Sequence, residues 1–252
     1  MKPNTVKWTD IIRVSTVNII VGKKGMGKSA LAYFLLEKVA AEYHLKPVVV
    51  GIPREKRHLL PDITIAESID DAVMMENACI LIDEGTLMLP AGKDLERLVM
   101  SVLSLSRQRH QIVFFVFHSS RDVGSRILRG IDTVLVKTPS KRQIDQGSKD
   151  NWWYSILTEA RSKLRTKKDA KRYVYVDCEE PEFRGLMENG LPSFWSEELS
   201  EVWAGIKLSQ ETRSNFAAPD EPLEVFTCKS CGKYAYMVGG TCEYCGYTTP
   251  AV

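Results

Sequence analysis

The sequence predicts an α/β fold, a parallel sheet flanked by helices, followed by a small separate module at the C-terminal end. Three observations predict it. Over roughly the first 140 residues, short β-branched runs alternate with longer stretches of helical period, the pattern of a parallel sheet covered by helices. One apolar run leads through a glycine-rich turn directly into an amphipathic helix. Near the C-terminus two Cys-x-x-Cys pairs sit ten residues apart in a segment too short to bury a core of its own.

Each element follows from its local pattern. Residues 17–21 form the first buried strand. In 29–43 the residues Leu31, Phe34, Leu35 and Val39 recur at helical spacing. Residues 47–52 read as a second strand, followed by a loop with Arg54, Lys56, Arg57 and Pro61. Residues 69–75 read as helix, and 78–82 as a third strand. In 93–105 the residues Leu95, Leu98, Val99, Val102 and Leu105 mark an amphipathic helix. The continuous apolar run 112–117 has the length of a central strand. Residues 121–128 read as a short helix and 133–136 as a fifth strand. From 137 to 172 eleven Lys or Arg stand against four Asp or Glu, with Trp152 and Trp153 among them. The alternating 173–176 predicts another strand. Leu191 to Trp195 reads as a packing strap on the core, and 196–206 as a helix capped by Ser196. These boundaries divide the chain into 1–206, with a core at about 14–139 and a basic, aromatic extension at 140–206. A polar linker at 207–224 and a mini-domain at 225–252 follow.

Composition narrows the function classes. An apolar fraction of 44%, a charged fraction of 26% and a net charge of +2 describe an ordinary globular protein without a global basic field. No segment has the apolar length of a signal peptide or a membrane span, so a cytoplasmic protein without stable membrane insertion is expected.

Gly22, Lys23, Lys24, Gly25, Met26, Gly27, Lys28 and Ser29 fit G-x-x-x-x-G-K-[ST] at every specified position. A backbone that curls around phosphate needs the glycines, and the helix that follows turns its positive end toward the anion. This predicts a P-loop binding Mg²⁺-ATP, with Ala30 completing the contact. Lys28 is expected on the β and γ phosphates and the Ser29 hydroxyl on Mg²⁺. The strand 78–82 ends in Asp83 and Glu84. Asp83 is expected to orient the metal's hydration shell and Glu84 to polarise the attacking water, which favours hydrolysis over transfer to a substrate hydroxyl. His118, at the end of 112–117, either reports the γ-phosphate or only caps the strand. Arg107, Arg109, Arg121 and Arg126 are candidates to reach a neighbouring subunit's nucleotide.

Cys228, Cys231, Cys242 and Cys245 form two knuckles, each followed by glycine. Four thiolates predict a closed, structural Zn²⁺ site, a zinc ribbon whose metal supplies its folding energy. Lys229, Lys233, Tyr234, Tyr236 and Tyr244 suit either nucleic acid or protein docking. Cys79 and Cys178 read as buried core.

The order of P-loop, apolar strand ending in Asp-Glu, helix, arginine-rich turn and strand with a polar end resembles the FtsK/HerA-type ATPases. The resemblance spans roughly residues 17–139, including 130–137 as the last core strand. It implies a RecA/FtsK-like P-loop NTPase core and a ring, pentameric or hexameric, that pumps double-stranded DNA, as in viral genome packaging or DNA transfer. A capsid or portal-type partner and DNA-stimulated ATP hydrolysis are implied with it. Arg107 or Arg109 matches the family's trans-acting arginine. His118 departs from the glutamine usual at the sensor position. Zonula occludens toxin-like assembly ATPases share the layout, so a protein-extruding ATPase is the alternative, and a nucleotide-switched zinc-ribbon adaptor a third reading. On a DNA pump, the basic run with Lys163, Arg165, Lys167, Lys168 and Lys171 would track the phosphate backbone.

Overall fold

The computed structural model describes residues 6–50, 52–83, 93–117, 130–147, 151–201, 225–227, 234–238 and 241–242. The chain divides into two compact units, Met1–Phe216 and Ala217–Val252.

The first unit is built on an eight-stranded sheet. In chain order the strands are β1 (Thr16–Val21), β2 (Lys46–Val50), β3 (Thr64–Ala66), β4 (Ala78–Ile82), β5 (Ile112–Phe117), β6 (Thr133–Val136), β7 (Tyr173–Cys178) and β8 (Gly185–Glu188). Their spatial order is β3-β2-β4-β5-β1-β6-β7-β8. Pairing is parallel from β3 through β6 and antiparallel across β6–β7 and β7–β8. The central strands are buried on both faces, which is why β4 and β5 read as unbroken apolar runs.

Helices cover both faces. The described helices of the unit are α1 (Trp8–Ile11), α2 (Lys28–Tyr43), α3 (Ile69–Val73), α4 (Lys93–Gln108), α5 (Lys141–Gly147), α6 (Asn151–Lys163), α7 (Lys167–Arg172) and α8 (Glu197–Ser200). On one face Leu31, Leu35, Leu36 and Val39 of α2 pack with Ile20, Leu81, Phe114 and Leu135. On the other, Val99 and Val102 of α4 and Trp153, Ile156, Leu157 and Ala160 of α6 pack with Val21, Ile82, Phe115 and Val136. Alternate residues of each strand thus serve opposite layers. Each such buried side chain contributes roughly 1.5–3 kcal/mol.

Several elements differ from expectation. β3 and β8 were not expected; three or four residues at a sheet edge carry no periodic signal. The described residues of 141–172 fall into three helices, although the charge density of the segment suggests only a basic tract. The helix expected over 196–206 is described as Glu197–Ser200, with Ser196 accepting from the Leu199 amide. The helix expected at 121–128 lies outside the described residues. Cys79 and Cys178 are buried free thiols. The strap expected at 191–195 packs against α2: Tyr33 meets Phe194 at 6.0 Å and Trp195 at 6.2 Å between ring centroids, and Ser193 bonds to Glu37. No helix among the described residues is long and apolar enough to cross a membrane.

The second unit contributes β9 (Val225–Thr227), β10 (Tyr234–Val238) and β11 (Thr241–Cys242), an antiparallel sheet in the order β11-β10-β9. Cys242 pairs with Met237 in the backbone ladder. Cys228, Cys231 and Cys245 lie outside the described residues.

Candidate nucleotide-binding site

β1 ends at Val21 and hands the chain to Gly22, which must be glycine: a Cβ there would stand 2.7 Å from the Lys137 carbonyl oxygen. The Lys23 amide donates to the Thr138 carbonyl at 3.1 Å, fixing the start of the loop to the end of β6. The loop closes at Gly27, whose φ of 76° only glycine takes without strain, and which is the N-cap of α2. No side chain caps this helix. The first-turn N–H groups of a 16-residue helix therefore point out of the loop as an anion site.

The polar side chains converge here. Lys28 is 4% exposed, and its ammonium reaches across the loop to donate to the Lys23 carbonyl at 3.3 Å. The Ser29 hydroxyl donates to Asp83 Oδ1 at 3.4 Å. Asp83 follows β4 and is 6% exposed. Because β4, β5 and β1 run parallel, with Ile82 beside Phe115 and Val21 beside Phe117, Asp83 and the loop share the carboxyl edge of the sheet. Two hard oxygen donors this close suit magnesium. Of the remaining loop residues, Lys23 and Lys24 are exposed, Met26 is half-buried and Ala30 is buried. Glu84 and His118, each the residue after a described strand or its end, lie outside the described residues, as do Arg121 and Arg126.

One residue of this site was missed in the sequence. Tyr33 stands one turn after Ser29 on α2, is 1% exposed, and has no hydrogen-bond partner for its hydroxyl among the described residues. Burial, reinforced by the Asp83 charge, pushes its hydroxyl well above the usual tyrosine range. The signal was the four-residue step from Ser29, which places both on one helix face.

Arg107 and Arg109 are not brought to this edge. They precede β5, which spans about 20 Å at ~3.3 Å per residue, so they sit at the amino edge and cannot serve their own chain's loop. Arg107 is exposed. Arg109 donates to the Val73 carbonyl at 2.5 Å and touches Met74 Sδ at 2.9 Å. Among the described residues no three His, Cys, Asp or Glu side chains converge on one point.

Beside the loop lies an open cleft of about 510 Å³, between Lys23 and Met26 on one side and the β6 exit and the end of α6 on the other. Arg161 reaches into this corner, donating to the Pro139 carbonyl at 3.4 Å.

No family model matches the sequence, and no curated protein matches it. Solved structures do match the fold. The genome packaging NTPase B204 of Sulfolobus turreted icosahedral virus 2, in complex with AMPPCP, superposes with a TM-score of 0.51 at 14% identity, covering 70% of this chain and 98% of that one. Its sulfate complex gives 0.51 at 13% identity, covering 70% and 96%. A KaiC-like protein of Pyrococcus horikoshii gives 0.39 at 14% identity, over 54% and 79%. The first unit, a mostly parallel eight-stranded sheet with a glycine-rich loop leading into its first long helix, is similar in fold to the P-loop NTPases.

Proposed function

We propose that this chain hydrolyses ATP to translocate DNA, acting as a homo-oligomeric ring of the kind that packages or transfers genomes. The ATPase part is carried by one observation: the Ser29 hydroxyl and the Asp83 carboxylate meet at 3.4 Å beside the uncapped start of α2, with Lys28 reaching over the same loop. Ser29 and Asp83 would hold Mg²⁺, which when bound neutralises charge on the β and γ phosphates. Lys28 grips those phosphates, Glu84 polarises the attacking water, and His118 senses the γ-phosphate. Arg107, exposed at the amino edge, is the better of the two arginines for reaching a neighbouring copy, since Arg109 is bonded to α3.

The DNA part is supported by the order of motifs shared with FtsK/HerA-type ATPases and by the basic residues of α6 and α7. The fold shared with a viral genome packaging NTPase agrees with it. Cys228, Cys231, Cys242 and Cys245 would bind Zn²⁺ as a structural ribbon, four soft thiolates being the donor set for that metal. A capsid or portal-type protein is the partner such a motor engages.

The test is an ATPase assay with duplex DNA, single-stranded DNA and no DNA, alongside mass photometry of Glu84→Gln with ATP. Duplex DNA is expected to raise the rate several-fold, and Glu84→Gln to bind ATP, stop turnover and accumulate as pentamers or hexamers. An equal rate with and without DNA, with no DNA binding at low salt, would overturn the translocase reading and favour a protein-extruding ATPase.

A further inference from the structure

Tyr33 is a buried polar side chain that the hydrolytic roles leave unused. It is 1% exposed, and its hydroxyl has no hydrogen-bond partner among the described residues. A buried hydroxyl without a partner costs stability, and a phenylalanine would fill the same volume without that cost. The ring is nevertheless held firmly. Phe194 meets it edge-on and Trp195 at a tilt. The strap that carries both is bound to α2 through the Ser193 amide, which donates to the Glu37 carboxylate at 3.1 Å. Gly190 brings the same segment so close to Phe34 that a Cβ would stand 2.8 Å from that ring.

Helix geometry directs this hydroxyl toward Ser29 and Asp83. Side chains of a helix lean toward its N-terminus, so Tyr33 covers the turn that carries Ser29 rather than the turn beyond. Asp83 faces the same side of the sheet. Cys79 and Leu81 of β4 pack in the α2 layer and Ile80 and Ile82 in the other, so the alternation turns Asp83 toward α2, where it meets Ser29. Burial first, and then the Asp83 charge, keep the proton on the Tyr33 hydroxyl, which makes it a donor. A carboxylate accepts at about four positions, so the Ser29 bond leaves Asp83 able to take a second donor. The Ser29 contact, at 3.4 Å, is long for a hydroxyl donor, as in a site that tightens only around its ligand.

We propose that Tyr33 is a positioning residue of the metal site: as the loop closes on its ligand, the Tyr33 hydroxyl donates to the Asp83 carboxylate beside Ser29 and fixes the direction in which Asp83 faces Mg²⁺. The proposal rests on the reading of Gly22–Ser29 as a triphosphate loop and of Ser29 and Asp83 as the metal pair. It also gives the strap a part in the site, since Phe194 and Trp195 hold the ring that orients the carboxylate.

The experiment is calorimetry on the full chain, titrating the non-hydrolysable analogue AMPPCP with magnesium and, separately, in EDTA. The proteins are wild type, Tyr33→Phe, Asp83→Asn and the double variant, with the melting temperature of each measured without ligand. Tyr33→Phe keeps the ring contacts and removes only the hydroxyl. It is expected to weaken binding with magnesium by about tenfold, as loss of a partner that orients a metal ligand does, and to leave binding in EDTA unchanged. Its ligand-free melting temperature is expected to hold or rise, because no hydrogen bond is lost. On the Asp83→Asn background the same substitution is expected to add nothing. Equal weakening with and without magnesium overturns the proposal, as does no weakening at all. So does an undiminished effect on the Asp83→Asn background. A lower melting temperature with unchanged magnesium dependence makes the hydroxyl a structural group and also overturns it. Wild type that binds AMPPCP equally with magnesium and in EDTA overturns the metal pair, and the proposal with it, while leaving the phosphate loop standing. Absence of binding by wild type in both conditions overturns the loop reading itself.

Discussion

The two edges of the central sheet treat polar groups in opposite ways. At the amino edge the donors are tied into the fold, although Gln111 Oε1 lacks a hydrogen-bond partner among the described residues. Gln111 is fully buried and donates to the Val73 and Met75 carbonyls at 2.8 and 2.5 Å, Arg109 donates to the same Val73 carbonyl, and the Asn77 amide donates to the Arg109 carbonyl at 2.9 Å. At the carboxyl edge the contacts are longer. Ser29 meets Asp83 at 3.4 Å, Lys28 meets a loop carbonyl at 3.3 Å, and the Tyr33 hydroxyl lacks a hydrogen-bond partner among the described residues. One edge holds the structure together; the other keeps polar groups that a ligand can engage. Burial alone does not separate the two roles, because Gln111 and Lys28 are both buried.

The largest effect expected from this contrast is at Lys28. Lys28→Ala should lower turnover by a factor on the order of 10²–10³, as loss of one preorganised charge at a developing anion does. The melting temperature should move by no more than a few degrees. A large fall in thermal stability would assign Lys28 to the fold and erase the distinction between the edges.

Gln111→Leu should act in reverse. It takes the side-chain donor from the Met75 carbonyl and leaves the Val73 carbonyl with Arg109, and should cost about 2–3 kcal/mol in urea denaturation. Nucleotide affinity, measured on the same preparation, should be unchanged.

Lys137 sharpens the contrast, because it lies at the loop's edge yet serves the fold. It is 1% exposed, and its ammonium donates to the Tyr173 carbonyl at 2.9 Å and to Asn189 Oδ1 at 3.0 Å. Burial lowers it from the ordinary 10.5 to about 8. Below pH 8 the folded and unfolded chains both hold the proton, and the cost of burying the charge is felt in full. Between pH 8 and 10.5 the unfolded chain holds it and the folded chain does not, so stability from this residue rises with pH. Wild type should therefore gain about 3 kcal/mol on Lys137→Met between pH 7.5 and 10.5, measured by urea denaturation. A flat difference across that window would mean the ammonium stays charged inside the fold.

The two edges were also unequally legible from the residues. The carboxyl edge was readable because its parts are local: a loop of eight consecutive residues, and a strand ending in Asp83. The ties of Gln111 and Arg109 to α3 were not, because they depend on where a helix more than thirty residues upstream comes to rest. α6 is an instructive miss. Trp153, Ile156, Leu157, Ala160 and Leu164 are all buried and recur at helical spacing, so the period was present. The intervening Arg161, Lys163 and Arg165 drew attention to charge instead. β3 and β8 carry too few residues for any pattern, and form because a neighbouring strand offers them a ladder.

The contact between the 191–195 strap and α2 gives the chain an optical reporter of its own. Trp195 lies against Tyr33, one helical turn beyond Ser29. Any shift of that helix as the loop closes on its ligand must change the surroundings of this indole. Its emission should therefore follow occupancy of the loop without a label, in every copy of an assembly, on the timescale of the closure itself.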